Sequence, residues 1–509
     1  MHPLSFANTE QFLEMISRAI GAKNVDLRQD TRRRYGETTL PSEDQLPLAV
    51  VFPSSTTDVQ KIVSAANLTG VRLHAVSGGQ NTGFSGRSLL FPDQIVVDLG
   101  RRMKAILEIN EELAYCVVEP GVTFQSLYDE LACRESSLMV SPTGGPPQGS
   151  LIGNALEKGG GYGAYGDHFS MLCGMEIVLG TGEVIRTGDS CIRAGAPHRW
   201  HISKSSFGPG IDGLFTQSNF GIVTQAGMWL MPRPAAIEPF FLTFPNDEDL
   251  TKIIELVRPL RLKGVVPTNI RVSSDLYIIS TYERHPCHGD RSSNSPLRAD
   301  ERRELHLKYG LGAWNVSGAI YAPDSRSAEA MIQHVKAQFK DSGGRFIHND
   351  EAEEIKPFRP AAAAYHGIPR AGELSSLSWR PGGGALWFAP GIPLHGALAS
   401  ECIALARRIC EDHVLDFMVC NVCAPRMMRA VQLIIYNRRD PEERQRADLC
   451  YQALAGAFTK RGYSVGRVPS DYYSWHQNQR MPTHAFVSGA IKAACDPNRI
   501  LAPGLYGLN

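Results

Sequence analysis

The 509-residue chain has no excess of either charge: 52 basic residues stand against 52 acidic ones. That balance removes the usual electrostatic attraction to nucleic acid or to an anionic membrane surface. Long apolar runs are missing as well, and none approaches the roughly 18 residues that a membrane span needs. The opening "MHPLSFANTEQFLEM" has no basic stretch ahead of an apolar one, so no secretory signal is read there. There is no internal repeat. Eleven cysteines, scattered from Cys116 to Cys495, have no framework spacing. Reduced thiols in an intracellular enzyme explain them better than disulfides do. The reading that remains is a soluble, cytoplasmic, globular protein of two or three domains.

What the chain does have is glycine, 48 residues, and proline, 32, used as punctuation. "TEQFLEMISRAIG" reads as a helix capped by Thr9 and ended by Gly21. "PLAVVFPSS" reads as a strand, and "STTDVQKIVSAANLTG" as an amphipathic helix capped by Ser55, Thr56 or Thr57. "VRLHAVSGG" is a second strand running into a glycine loop. "QIVVDLGRR" and "YCVVEPGVTFQSLYDELA" repeat the plan, and "GMEIVLGTGEVIRTG" is a strand pair hinged at Thr181-Gly182. The texture changes at 233–245, where prolines lead into alternating strands and longer helices. The expected division is 1–234, then 235–485, with 486–509 folding back onto the first part.

The loop "AVSGGQNTGFSG" (75–86) poses the chemical question. A glycine-rich turn after a strand lets backbone N–H groups approach a pyrophosphate closely. It lacks the nicotinamide pattern, because neither a Gly-x-Gly-x-x-Gly helix start nor an acidic residue at the ribose distance follows. Alone it says little. "EPGVTF", "PTGGPPQGSLIGNALEKGGGYGAYGDHFSM" and "GLFTQSNFGIVT" add further loops of the same kind, as expected of a chain shaped around a long ligand.

Together with "MWLMPRP", "PGGGALWFAP" and "DPNRILAPG", these segments resemble, in order, the vanillyl-alcohol oxidase and p-cresol methylhydroxylase family of flavoproteins. The resemblance implies an α+β, two-domain fold. A discontinuous FAD-binding domain of two α/β subdomains would carry a cap domain with a mixed or antiparallel sheet over the isoalloxazine. It places FAD contacts on Ser77, Gly78, Gly79, Gln80, Asn81, Thr82 and Gly83, and on Pro120 and Gly121. Further contacts fall on Gly153, Asn154, Gly160, Tyr162, Gly166, Asp167 and His168, on Gly221, Ile222 and Val223, and on Arg467. Relatives often tie FAD to a cap-domain histidine or tyrosine. Ala385 and Leu377 stand at those places, and Gln80 at the histidine position used by other flavoproteins. A non-covalent FAD, milder as an oxidant, is expected.

The family oxidises para-substituted phenols, and two tyrosines and an arginine bind the phenolate. Here Phe84 takes the first tyrosine's place, Gly466 the second's, and Arg467 is kept. An acidic position used as a base by some relatives falls near Gly145. Charged and histidine positions of the hydroxylase branch become Cys420, Arg429 and Leu433, and Leu505 stands where relatives have a lysine or arginine. The candidate catalytic set is therefore Arg467, Glu373, Phe84, Cys420 and Arg429. Tyr472, Tyr473 and Trp475 are either a replacement phenol or core aromatics. No metal site is expected: Cys420-x-x-Cys423 lies on an apolar strand without a second pair, and "HPCH" at 285–288 is too closely spaced.

The leading reading is an FAD-dependent oxidoreductase taking a hydride from a small aromatic or allylic substrate. Oxygen or another acceptor would reoxidise it, and a homo-oligomer is expected by analogy. An FAD-containing cyclase or isomerase without net oxidation is the second reading, and a non-catalytic flavin scaffold the third.

Overall fold

The computed structural model describes residues 6–191, 200–286, 296–347, 349–370 and 372–509. Cys287 and His288 of the "HPCH" stretch lie outside them. The apolar run before Phe52 forms the strand Ala49–Val51, which pairs in parallel with Gln94–Asp98; that strand in turn pairs in parallel with Arg72–Val76. The intervening helix, Thr56–Thr69, is capped by Ser55, whose hydroxyl accepts from the Asp58 amide at 3.1 Å, and Gly70 ends it. The first helix, Phe6–Ile20, begins three residues before Thr9, so Thr9 is an interior residue rather than a cap. No proline or glycine between 6 and 9 stops it earlier.

A second, antiparallel sheet takes Ile106–Asn110, Tyr115–Val118, Gly221–Trp229, Leu172–Leu179 and Val184–Arg186 in that spatial order. Its last hairpin turns at Thr181-Gly182, with Gly182 at φ 89°. From Ala236 onward the chain builds a third, eight-stranded sheet. Every pairing in it is antiparallel.

Strand periodicity divides this third sheet between two jobs. Val272, Val316, Val419 and Ile434 point to one face, where the helices Leu250–Leu262, Ser325–Phe339, Gly396–Asp412 and Pro441–Lys460 bury them. Arg271, Val422, Arg429 and Val431, of the other parity, line a cavity facing the glycine loops. The same alternation separates Cys420 from Cys423: they sit in different apolar clusters on opposite faces and cannot share a ligand. The C-terminal segment packs on the glycine-rich half. Leu73 donates its amide to the Ile500 carbonyl and accepts from the Ala502 amide, both at 2.7 Å. Buried Lys492 bonds Asp496 and the carbonyls of Asn219 and Leu501. Among the described residues no helix is long and apolar enough to cross a membrane, and no acidic, cysteine or histidine cluster could hold a metal.

Candidate active site

A cavity of about 680 Å³ runs from the glycine loops to the third sheet. That size lies within the range of cofactor and ligand sites. Of the sequence-predicted residues, Ser77, Gly78, Gly79, Gln80, Asn81, Thr82, Phe84, Pro120, Gly153, Asn154, Gly160, Gly166 and Asp167 line it. Gly221, Ile222, Val223, Glu373, Arg429 and Arg467 do too. The first loop is a built cradle. The Asn81 carbonyl accepts from the amides of Phe84, Ser85 and Gly86, closing a tight turn. Gly83, at φ 78°, lies so close to the Trp387 indole that a Cβ there would enter the ring. The same indole donates to the Thr82 carbonyl at 2.9 Å, which clamps the loop to the cap sheet.

Gly83, Gly121, Tyr162, His168 and Cys420 stand behind the wall instead of lining it. Gly121 backs onto the Gly100 and Met103 carbonyls. His168 donates from Nε2 to the Ser141 carbonyl at 2.8 Å, while Nδ1 faces the Asn154 side chain at 2.6 Å. Burial pushes its pKa down to about 4, so the ring is a neutral spacer behind Asn154. Cys420 is fully buried beside Arg271, and burial pushes its thiol up despite that charge. Tyr162 serves elsewhere.

The best-made polar feature is Glu373. Its Oε1 accepts from the Tyr162 hydroxyl at 2.9 Å and from the Arg271 guanidinium; its Oε2 accepts from the Tyr277 hydroxyl at 2.9 Å. The Arg271 guanidinium also covers the Tyr162 ring, 4.3 Å from its centroid. Burial pushes both tyrosines well above the ordinary phenol value, with Arg271 opposing and Glu373 adding, so both remain neutral donors. Burial works against the Arg271 charge, but its polar neighbours, with the Glu373 carboxylate paired to it, outweigh that and hold the group protonated. A carboxylate has about four lone-pair directions; three are taken, and Glu373 lines the cavity. A Cβ at Gly144 would fall inside the Glu373 carboxyl group. The "TGGPPQG" stretch thus gives its space to a carboxylate from another segment.

Arg271 and Tyr277 were not singled out from the sequence. The available signal was an arginine in the otherwise apolar and small run "NIRVSS", followed by "DLY". Its weight comes only from Glu373, about a hundred residues away in the chain.

Arg467 lies beside Phe84, Tyr473 and Tyr506, and the Tyr506 hydroxyl donates to Glu157. The Arg467 guanidinium carbon lies 4.0 Å from the centre of the Phe84 ring, and its Nη2 donates to Asn81 Oδ1. Its Nε has no hydrogen-bond partner. Leu377 and Ala385 carry no nucleophile and neither lines the cavity, while Leu505 does. Tyr472 stacks on Tyr451 with centroids 3.8 Å apart, and Tyr473 packs against Tyr506. Tyr472 and Trp475 belong to the cap core, whereas Tyr473 is buried near Arg467.

A family model described as an FAD binding domain matches residues 47–188. The flavoprotein subunit of 4-cresol dehydrogenase (hydroxylating) from Pseudomonas putida is 34% identical, the alignment covering 96% of this chain and 94% of that one. The 1'-carboxy-chondrochloren decarboxylase of Chondromyces crocatus is 30% identical, with 98% and 97% covered. The crystal structure of p-cresol methylhydroxylase with substrate bound superposes at a TM-score of 0.95, 32% identical, with 99% of this chain and 98% of that one covered. The glycine cradle, with its close backbone approaches and free wall, suits FAD. The chain belongs to the vanillyl-alcohol oxidase and p-cresol methylhydroxylase family of FAD-dependent oxidoreductases.

Proposed function

We propose that this protein takes a hydride from the benzylic or allylic carbon of a small aromatic substrate, an alcohol or alkylphenol-like compound, with Glu373 as the proton acceptor. The observation that carries the proposal is the Glu373 carboxylate, fixed by Arg271, Tyr162 and Tyr277 at the cavity wall with one direction unspent. When bound, FAD supplies a two-electron hydride acceptor. The backbones of 77–82, 120, 153–154, 160, 166–167 and 221–223 would hold it, and Arg467 would place positive charge beside the ring system. No covalent link is proposed, since Leu377, Ala385 and Gln80 offer no histidine or tyrosine.

For an aryl or allylic alcohol the balance is simple. The carbon loses a hydride, the hydroxyl proton goes to Glu373, and a carbonyl product leaves; Glu373 then returns its proton to water. Tyr162, Tyr277 and Arg271 position the carboxylate without changing protonation. Reoxidation by oxygen or by another acceptor closes the cycle. Phe84 and Gly466 remove both hydroxyls of the phenolate site, which favours substrates other than simple 4-alkylphenols.

The test is anaerobic mixing of purified protein with a panel of aryl alcohols, allylic alcohols, 4-alkylphenols and carboxylated aromatics, reading the flavin's visible absorbance. Stoichiometric bleaching supports oxidation. Product formed without bleaching supports the cyclase or isomerase reading instead. Acid precipitation in the same preparation, with FAD recovered in the supernatant, checks the non-covalent attachment.

A further inference from the structure

Arg271 and Arg429 occupy one row of the cap sheet: Arg271 pairs across to Val422, and Val422 to Arg429. Neighbouring strands lie about 4.8 Å apart, so roughly 10 Å separates the two positions, about the length of a substituted benzene. Val422 lies between them in the row, and Val431, Trp387 and Phe84 line the same cavity. At one end, Arg271 is satisfied by Glu373. At the other, Arg429 and Arg467 both face the cavity, and none of the ion pairs among the described residues includes either. Arg429 donates only to the Lys158 carbonyl, at 3.3 Å; Arg467 reaches Asn81 and keeps an unpartnered Nε. Each guanidinium has five N–H donors, of which the protein's own groups take one on Arg429 and one on Arg467.

Gly466 explains how the second arginine fits. A Cβ at that position would already touch the Arg429 guanidinium, 3.7 Å from Nη2 and 3.9 Å from Cζ. Where relatives place a tyrosine, this chain has removed the side chain, and a guanidinium from the strand Met427–Tyr436 occupies the space. We propose that Arg429 and Arg467 together receive the carboxylate of an aromatic-acid substrate, whose ring lies on Val422 and Val431 and whose far end reaches Glu373. This rests on the aromatic-substrate reading above. A carboxylate has two oxygens in a plane, which suits forked N–H donors. The two hydroxyls that would serve the single oxygen of a phenolate are gone. Burial disfavours the charge on both arginines; Glu157 opposes this for Arg467 and Asp167 for Arg429, while Arg429 adds to it for Arg467, and a bound anion acts in the same direction as those two carboxylates.

The experiment is a titration of oxidised holoenzyme with 3-phenylpropanoate and with its primary amide, followed by perturbation of the flavin spectrum, so that no turnover is needed. The acid should bind about tenfold tighter than the amide, or better. Arg429→Gln should bring the ratio near one while the protein keeps its flavin, and Arg429→Lys should retain part of the preference. Equal binding in the wild type, or a preference that survives Arg429→Gln, overturns the site. An Arg429→Gln protein that purifies without flavin also overturns it, because the charge would then belong to the cofactor. Bleaching by a carboxylated and by a neutral aryl alcohol, read on the same preparation, tests the oxidation separately. Bleaching without acid preference discards only the carboxylate site; acid preference without bleaching keeps the site and discards the oxidation.

Discussion

Arg271 and Arg429 stand in the same row of one sheet, two strands apart, facing one cavity. Arg271 spends its charge inside the protein, on a carboxylate that two tyrosines also hold. Arg429 donates to a single carbonyl and forms no ion pair among the described residues, with Asp167 and Arg467 as its charged neighbours. In the proposed reaction the first arrangement serves as the acid–base end, its donors already set around Glu373. The second leaves an electrostatic demand that a ligand can meet. The same side chain at two points of one row thus differs by whether an acid from another segment pairs with it, and on the proposed site only Arg429 of the two is left to meet a ligand.

The comparison breaks most visibly at Glu373. Glu373→Gln keeps the shape and removes the proton acceptor, so the turnover rate should fall by roughly 10²–10⁴-fold with flavin content unchanged; steady-state rates against bound flavin decide this. Gly144→Ala should come close behind. Its methyl displaces the Glu373 carboxyl, and a misplacement of about 1 Å costs on the order of 10²-fold in rate. The two arginines should differ in stability. Arg271→Met strands Glu373 without its cation and should cost about 3 kcal/mol. Arg429→Gln breaks no ion pair and should leave the unfolding midpoint unchanged or raise it. Paired denaturation curves measure the contrast, and equal losses would erase it.

The smallest effect is in alkali. Tyr162 and Tyr277 hold their protons above the ordinary phenol value in the fold, because burial raises them. Above about pH 10 the unfolded chain has released those protons and the folded chain has not, so stability falls as pH rises. The expected slope is about 1.4 kcal/mol per pH unit for each tyrosine, and Tyr277→Phe should remove its share. Activity should show no tyrosine ionisation before unfolding.

Much of the cofactor cradle was legible because glycine and proline act on the backbone of their own segment. A run such as "SGGQNTG" carries its turn with it, and most of its residues line the cavity. Glu373 was legible from its place before "LSSLSW". Its partners were not, since Arg271 and Tyr277 become meaningful only when strand Ile270–Ser274 and the short helix after it are laid against a segment near residue 373. Tyr162 was placed among the FAD contacts by the family resemblance; its hydroxyl donates to Glu373. Cys420 and Cys423 were separable by the period-two rule alone. The start of the first helix was placed late because Thr9 looked like a cap, and no breaker before it forces a cap there.

The most direct test of the central claim is an anaerobic single turnover with an aryl alcohol deuterated at the benzylic carbon, compared with its protium form, in wild type and Glu373→Gln. If hydride leaves carbon as Glu373 takes the proton, deuterium slows flavin bleaching in the wild type, and the variant bleaches far more slowly with the same flavin bound. Bleaching in Glu373→Gln at the wild-type rate would contradict the account, as would product forming while the flavin stays oxidised.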